Sequence, residues 1–404
     1  MAPLPEARDR IDWALTHALR AALLSSRGAA VPSLHLEEEI ASAVLEEAGL
    51  ARLDGLVSQG LVALGNAPLA GEAAKRRRQG AVLSLWLHEH RRRVSAALDA
   101  REIPHVYLKG ALSDALHWRG SGLRGTSDLD VLVAAGDADH AVQALSVLDA
   151  RELDFSRYRV SVGLGHARVL SLPTAGDLIV DLHTSLISEP PFRDPSEEVL
   201  QRAVVYRTAV GDIRGPERED ALLFAAANLA SDGFSGRAKL ALDAACLLDE
   251  GGLRSDVVLA RASEWGCAAA VWALLRIVEV RLGGRPDPSL MSALRPASRR
   301  RRALLEALAG VHTAPLRLRG EPTRALFAPS SSSALASLLR WGSLRVLDEL
   351  ARVPAFERPL AVFISTRRAS RAAPARTRRA RGRSSARGPS RSAAPDPGER
   401  PACS

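Results

Sequence analysis

Leu108-Lys109-Gly110-Ala111, followed by Arg124-Gly125-Thr126-Ser127-Asp128-Leu129-Asp130-Val131-Leu132-Val133, is the stretch on which the fold of this 404-residue chain turns. His105-Val106-Tyr107-Leu108 follows Pro104 and reads as a strand, and Ala111–Trp118 reads as a short helix. Asp128–Val133 reads as a second strand. Successive side chains on a strand alternate between its faces, so Leu129, Val131 and Val133 point one way while Asp128 and Asp130 point the other.

A second acidic strand follows at Ile179-Val180-Asp181-Leu182-His183, with Asp181 and His183 on the face opposite Val180 and Leu182. If it lies beside the first, Asp128, Asp130 and Asp181 converge. At about 4 Å and an effective dielectric near 20, each like-charge pair costs roughly 4 kcal/mol, so a cation or a bound proton has to relieve it. Hard carboxylate oxygens without clustered thiols favour Mg²⁺ or Mn²⁺, which bind through carboxylates, water and substrate phosphates. Lys109-Gly110 at a strand end leading into a helix supplies a phosphate cradle, because glycine admits close backbone approach and a helix N-terminus favours an anion.

At these residues the chain resembles the polymerase beta-type nucleotidyltransferase superfamily, in the bacterial branch with a Leu-Lys-Gly strand end, an Arg and then Asp-x-Asp. The matching elements are Leu108-Lys109-Gly110, Arg124, Ser127 to Val133, Val180-Asp181-Leu182-His183 and the helical stretch 222–243, within about residues 80–250. The resemblance implies an α+β fold in which a small mixed β-sheet core is flanked by N-terminal and C-terminal helical regions. It implies Asp128, Asp130 and Asp181 as metal ligands and catalytic carboxylates, with Asp181 activating the acceptor. Lys109, Gly110, Arg124 and Ser127 would then contact a nucleoside triphosphate. The implied reaction transfers a nucleoside monophosphate to a hydroxyl-type acceptor with release of pyrophosphate, using Mg²⁺ or Mn²⁺. The acceptor stays open among a small molecule, a protein and an RNA. The chain departs from many superfamily members in carrying Gly110-Ala111 where they carry Gly-Ser, and in the 17 residues between Gly110 and Asp128, a spacing usual for this branch. The first departure motivates the alternative of a catalytically inactive binding or scaffold module with the same fold.

Outward from this block the apolar period becomes helical. Residues 11–65 carry Leu15, Leu19 and Leu23, then Ile40, Val44 and Leu45, at helical spacing. After Lys75-Arg76-Arg77-Arg78, which reads as a solvated face, a long helix runs through Leu83, Leu85, Leu87, Val94 and Leu98. Residues 139–148 are helical, 167–172 and 178–182 are strands, and from Glu217 the pattern is helical again, including helices over 268–282 and 333–350. The expected organisation is an N-terminal helical region (1–78), the α/β core (79–210), a C-terminal helical domain (211–365) and a disordered Arg-rich tail (366–404).

Charge follows the same division. The net charge of +9 resides in 366–404, which holds 11 Arg against one Asp and one Glu, so the rest of the chain is neutral. The tail lacks large apolar side chains and suits nonspecific contact with a polyanion. Only Lys75, Lys109 and Lys239 are lysines among 55 basic residues, which makes Lys109 stand out. Three scattered cysteines point to a reducing compartment, and the charged first ten residues argue against a secretory leader. No uncharged apolar run nears the ~20 residues that span a bilayer, so the expected location is the cytoplasm without membrane contact.

Other chemically tempting residues have plain readings. His88-Glu89-His90 is expected on a helix surface, because neighbouring helical positions do not face one another. Lys239 and Asp243 either close over base or ribose or form a helical ion pair four residues apart. His183 either orients the acceptor or a metal-bound water, or is a hydrogen-bonded strand histidine.

Overall fold

A computed structural model describes residues 5–153, 167–174, 177–187, 192–231, 237–310 and 327. The expected helix over 333–350 and the basic tail lie outside these residues. The chain is α+β, as the sequence implied. It opens with α1 (Pro5–Ser26), α2 (Glu38–Leu50), α3 (Asp54–Ala63) and the long α4 (Ala70–Asp99). Lys75 to Arg78 lie inside α4 rather than ahead of it, with Lys75, Arg77 and Arg78 exposed. Arg76 is half-buried and pairs with Glu72 and Asp54.

β1 (His105–Leu108) runs directly into α5 (Lys109–His117), and β2 (Asp128–Val133) follows. After α6 (Ala138–Leu145) come β3 (Arg151–Glu152), β4 (Ala167–Leu172) and β5 (Leu178–His183). These five strands form a mixed sheet in the order β1-β2-β5-β4-β3. β2 and β5 are parallel, and the other neighbours are antiparallel. Next come α7 (Ser196–Gln201), a hairpin of β6 (Val204–Tyr206) and β7 (Ile213–Gly215), and the helices α8 (Arg218–Ser231) and α9 (Arg237–Asp249). α10 (Ser255–Glu264), α11 (Ala268–Ile277), α12 (Pro288–Leu294) and α13 (Arg299–Gly310) complete the described chain. The helix expected over 268–282 is present, but its last turn, Val278–Leu282, widens to π geometry before Gly283, whose φ of 68° ends it.

The alternation in the strands decides what each face of the sheet covers. Tyr107, Leu129, Val131, Val133, Val180 and Leu182 pack with Leu87, Val94 and Leu98 of α4 and Ala141, Ala144 and Leu145 of α6. Val106, Leu108 and Leu132 project from the other face into a second apolar cluster. That cluster joins α1 to α3 with α8, α9 and α11, so the first and last helices share one core. Asp128 and Asp130 alternate with Leu129 and Val131 and so lie on this second face with Leu132.

α4 crosses the α5 region through a buried polar network. Asp114, fully buried on α5, accepts hydrogen bonds from Ser84 Oγ at 2.5 Å, His88 Nε2 at 3.2 Å and the Gly122 amide at 3.0 Å. Arg91 donates to His88 Nδ1 at 3.2 Å and to the carbonyls of Asp212 and Val210 in the hairpin turn. This corrects the surface expectation for His88 and His90, which are 2% and 9% exposed. Their side chains do diverge as helical geometry requires: His88 meets Asp114, while His90 packs edge-on against Trp86. α4 is covered by α5 and the sheet, and the sequence of α4 alone does not reveal its cover.

Candidate functional site

The junction of β1 and α5 brings Lys109 to the sheet. Lys109 adopts φ of 48°, a left-handed conformation that ends the strand abruptly and starts the helix. Gly110 follows in close packing: a Cβ there would lie 2.1 Å from Thr126 Oγ1. Thr126 Oγ1 in turn donates to Asp128 Oδ1 at 3.3 Å, which links the turn to the start of β2.

Strand register then assembles the acidic row. Leu108 pairs with Asp130 across β1 and β2, and Asp130 pairs with Asp181 across β2 and β5. His183 lies two residues beyond Asp181 on the same face, and its Nε2 reaches Asp130 Oδ1 at 2.9 Å. Lys109 Nζ donates to the same oxygen at 2.8 Å. Asp130, Asp181 and His183 place one ligating atom each within 4.8 Å of one another, a set able to hold a metal ion. Asp128, half-buried, starts the strand opposite Ile179 and is not part of that set.

The electrostatics separate the two central acids. Burial disfavours the charged form of Asp130, but the Lys109 ammonium and the His183 hydrogen bond outweigh it and hold the carboxyl at about 2. Asp181 has no such hydrogen bond among the described residues; burial, then the charges of Asp130 and Asp128, outweigh the nearby His183 and Lys109 and push it above its ordinary value. The two neighbouring acids are thereby shifted in opposite directions.

The remaining expected residues fall into place differently. Arg124 is 4% exposed and makes a two-point ion pair with Asp243 of α9, Nε to Oδ1 at 2.9 Å and Nη2 to Oδ2 at 2.7 Å. Ser113 also donates to Asp243. Asp243 thus pairs with Arg124 rather than with Lys239, whose Nζ donates to the Gly125 carbonyl at 3.2 Å. Burial, reinforced by Arg124 and Arg52, lowers the Lys239 ammonium to about 8. Ser127 is half-buried directly ahead of Asp128. His183, expected either to orient the acceptor or a metal-bound water or to be a plain strand histidine, is signalled in the sequence by the alternation that puts it on the face of Asp181.

A mixed sheet that gathers acids from two neighbouring strands beside a lysine-glycine strand-to-helix turn fits the nucleotidyltransferase class that the sequence resembled. A family described as uncharacterised nucleotidyltransferase matches residues 38–283, more than half of the chain, and the chain belongs to that family. No curated protein is found to match it.

Proposed function

We propose that the protein transfers a nucleoside monophosphate from a nucleoside triphosphate to a hydroxyl-type acceptor, releasing pyrophosphate, in a reaction that requires Mg²⁺ or Mn²⁺. The observation that carries this reading is the gathering of Asp130, Asp181 and His183 beside the Lys109-Gly110 turn. Asp130, Asp181 and His183, with Asp128 next to them, are the residues that would hold the ion. Two carboxylate oxygens and one imidazole nitrogen, with no thiolate, suit Mn²⁺ or Mg²⁺. Such an ion, when bound, neutralises phosphate charge and polarises the phosphoryl oxygens.

The protein's own groups have separable tasks in this reading. Lys109, freed from Asp130, is a point charge for the departing phosphates, and Gly110 lets the start of α5 approach them. Asp181 takes the proton of the acceptor hydroxyl as its oxygen bonds to the α-phosphorus, and the bond to the bridging oxygen breaks to release pyrophosphate. Arg124 acts at one remove, by fixing α9 against the loop that precedes β2. Ser127, next to Asp128, would contribute its hydroxyl to a phosphate. The four-part division near residues 78, 210 and 365, a cytoplasmic setting and polyanion contact through the basic tail belong to the same proposal. Among the described residues no helix is long and apolar enough to cross a membrane.

Pyrophosphate release from each of the four triphosphates, measured with Mg²⁺ or Mn²⁺ and a cell extract as acceptor source, tests the reading. Release that falls to background in Asp130→Asn and Asp181→Asn supports it, and release unchanged in the double variant Asp128→Asn with Asp130→Asn overturns it. The Lys109–Asp130 contact favours one second reading, a scaffold whose internal ammonium already neutralises the acid. That reading expects triphosphate binding without a divalent ion and without turnover.

A further inference from the structure

Beside the acidic row, a cleft runs between α5 and the α8–α9 pair and reaches the β6–β7 hairpin. It is walled mainly by apolar side chains, among them Leu108, Leu112, Phe224 and Leu240. Lys109 belongs to its wall, and the Lys109 ammonium lies 5.9 Å from the centre of the Phe224 ring as well as on Asp130. The cleft and the acidic row therefore share one side chain. Of the polar groups in the wall, Asp243 is taken by Arg124, Ser113 by Asp243, and His117 by Glu250. Asn228, half-buried on α8 one turn from Phe224, is different: its side-chain amide has no hydrogen-bond partner among the described residues.

We propose that this cleft receives the base of the donor nucleotide, with Phe224 against the ring and the Asn228 amide reading its hydrogen-bonding edge. The inference rests on the transferase reading above and adds the specificity-determining residue. Three observations support it. An apolar cleft with one uncommitted amide is the composition of a site that selects a flat heteroaromatic ring, since the apolar walls hold it and the amide orients it. A nucleotide whose phosphates lie at Lys109 and Gly110 has its base tethered a short distance away, and Lys109 is itself part of the cleft wall. Strand order also separates donor from acceptor: the cleft lies on the β1 side of Asp130, whereas Asp181 and His183 lie on the β5 side, where the acceptor would enter.

Calorimetric titration of the full chain with Mg²⁺, using inorganic triphosphate and the four α,β-methylene nucleoside triphosphates, tests the inference. Inorganic triphosphate reports the phosphate site alone. The proposal expects at least one nucleotide to bind about tenfold or more tightly than inorganic triphosphate. Asn228→Ala should reduce discrimination among the four bases by about fivefold or more while leaving inorganic triphosphate binding unchanged. Asn228→Asp, which can only accept, should shift preference toward guanine, whose N1–H and N2–H both donate. Binding of inorganic triphosphate with no gain from any base, or discrimination unchanged in both Asn228 variants, overturns the base site and leaves the transferase reading standing. Failure of inorganic triphosphate and all nucleotides to bind overturns both.

Discussion

Arg124 and Asp243, 119 residues apart, meet in a buried two-point ion pair that fastens the loop before β2 to helix α9. Burial opposes the guanidinium charge, yet the Asp243 carboxylate more than offsets this and raises Arg124 above its ordinary value. Breaking such a pair leaves a charge buried without compensation, at about 3–5 kcal/mol. Arg124→Ala and Asp243→Ala are each expected to lose that much in urea denaturation, and the double variant less than their sum. Arg124→Lys should recover little, because an ammonium cannot reproduce the two-point geometry.

Gly110 is held by space. Its hypothetical Cβ meets Thr126 Oγ1 at 2.1 Å, so Gly110→Ala forces one chain segment aside and should cost about 1–3 kcal/mol. Thr126→Gly removes the obstacle. The double variant is expected to be more stable than additivity of the two single changes predicts, a result read from denaturation midpoints of the four proteins.

Asp114 anchors α5 to α4 without touching the acidic row. Asp114→Ala strips the acceptor from the Ser84 hydroxyl, the His88 ring and the Gly122 amide. Loss of about 3 kcal/mol or more is expected, with the urea dependence of the free energy unchanged if the fold survives.

Lys239 provides a pH test. Its ammonium is held at about 8, below the ~10.4 of a free lysine, so the unfolded chain binds more protons between these values. Stability should therefore rise as pH climbs from about 8 toward about 10.4, and Lys239→Met should flatten that rise. With only three lysines in the chain, ¹³C-methylated lysine resonances resolve the group directly, and the signal lost in Lys239→Arg should titrate near 8.

Much of the core was legible because it depends on local rules. The period-two alternation of Asp128–Val133 and Leu178–His183 gave both strands and the shared face of their acids, and register delivered Asp130 opposite Asp181. The strand-to-helix turn after Leu108 was readable from the strand end and glycine, although α5 starts at Lys109, two residues ahead of the expected Ala111. What escaped was non-local. The partner of Arg124 is one of many acids, and 52 arginines conceal which of them is buried. His88 and His90 read as surface because nothing within α4 records that α5 and the sheet cover it. The sharing of one apolar cluster by α1 and α11 follows from packing between elements far apart in sequence, where periodicity gives a face but not its partner.

Uptake of Mn²⁺ followed by electron paramagnetic resonance probes the acidic row most directly. The full chain is expected to bind Mn²⁺ with a ¹⁴N modulation from the imidazole of His183. The modulation should vanish in His183→Ala, and uptake should vanish in Asp130→Asn with Asp181→Asn. Mn²⁺ bound equally well by that double variant, or no uptake by the unaltered protein with or without a nucleoside triphosphate, would contradict it.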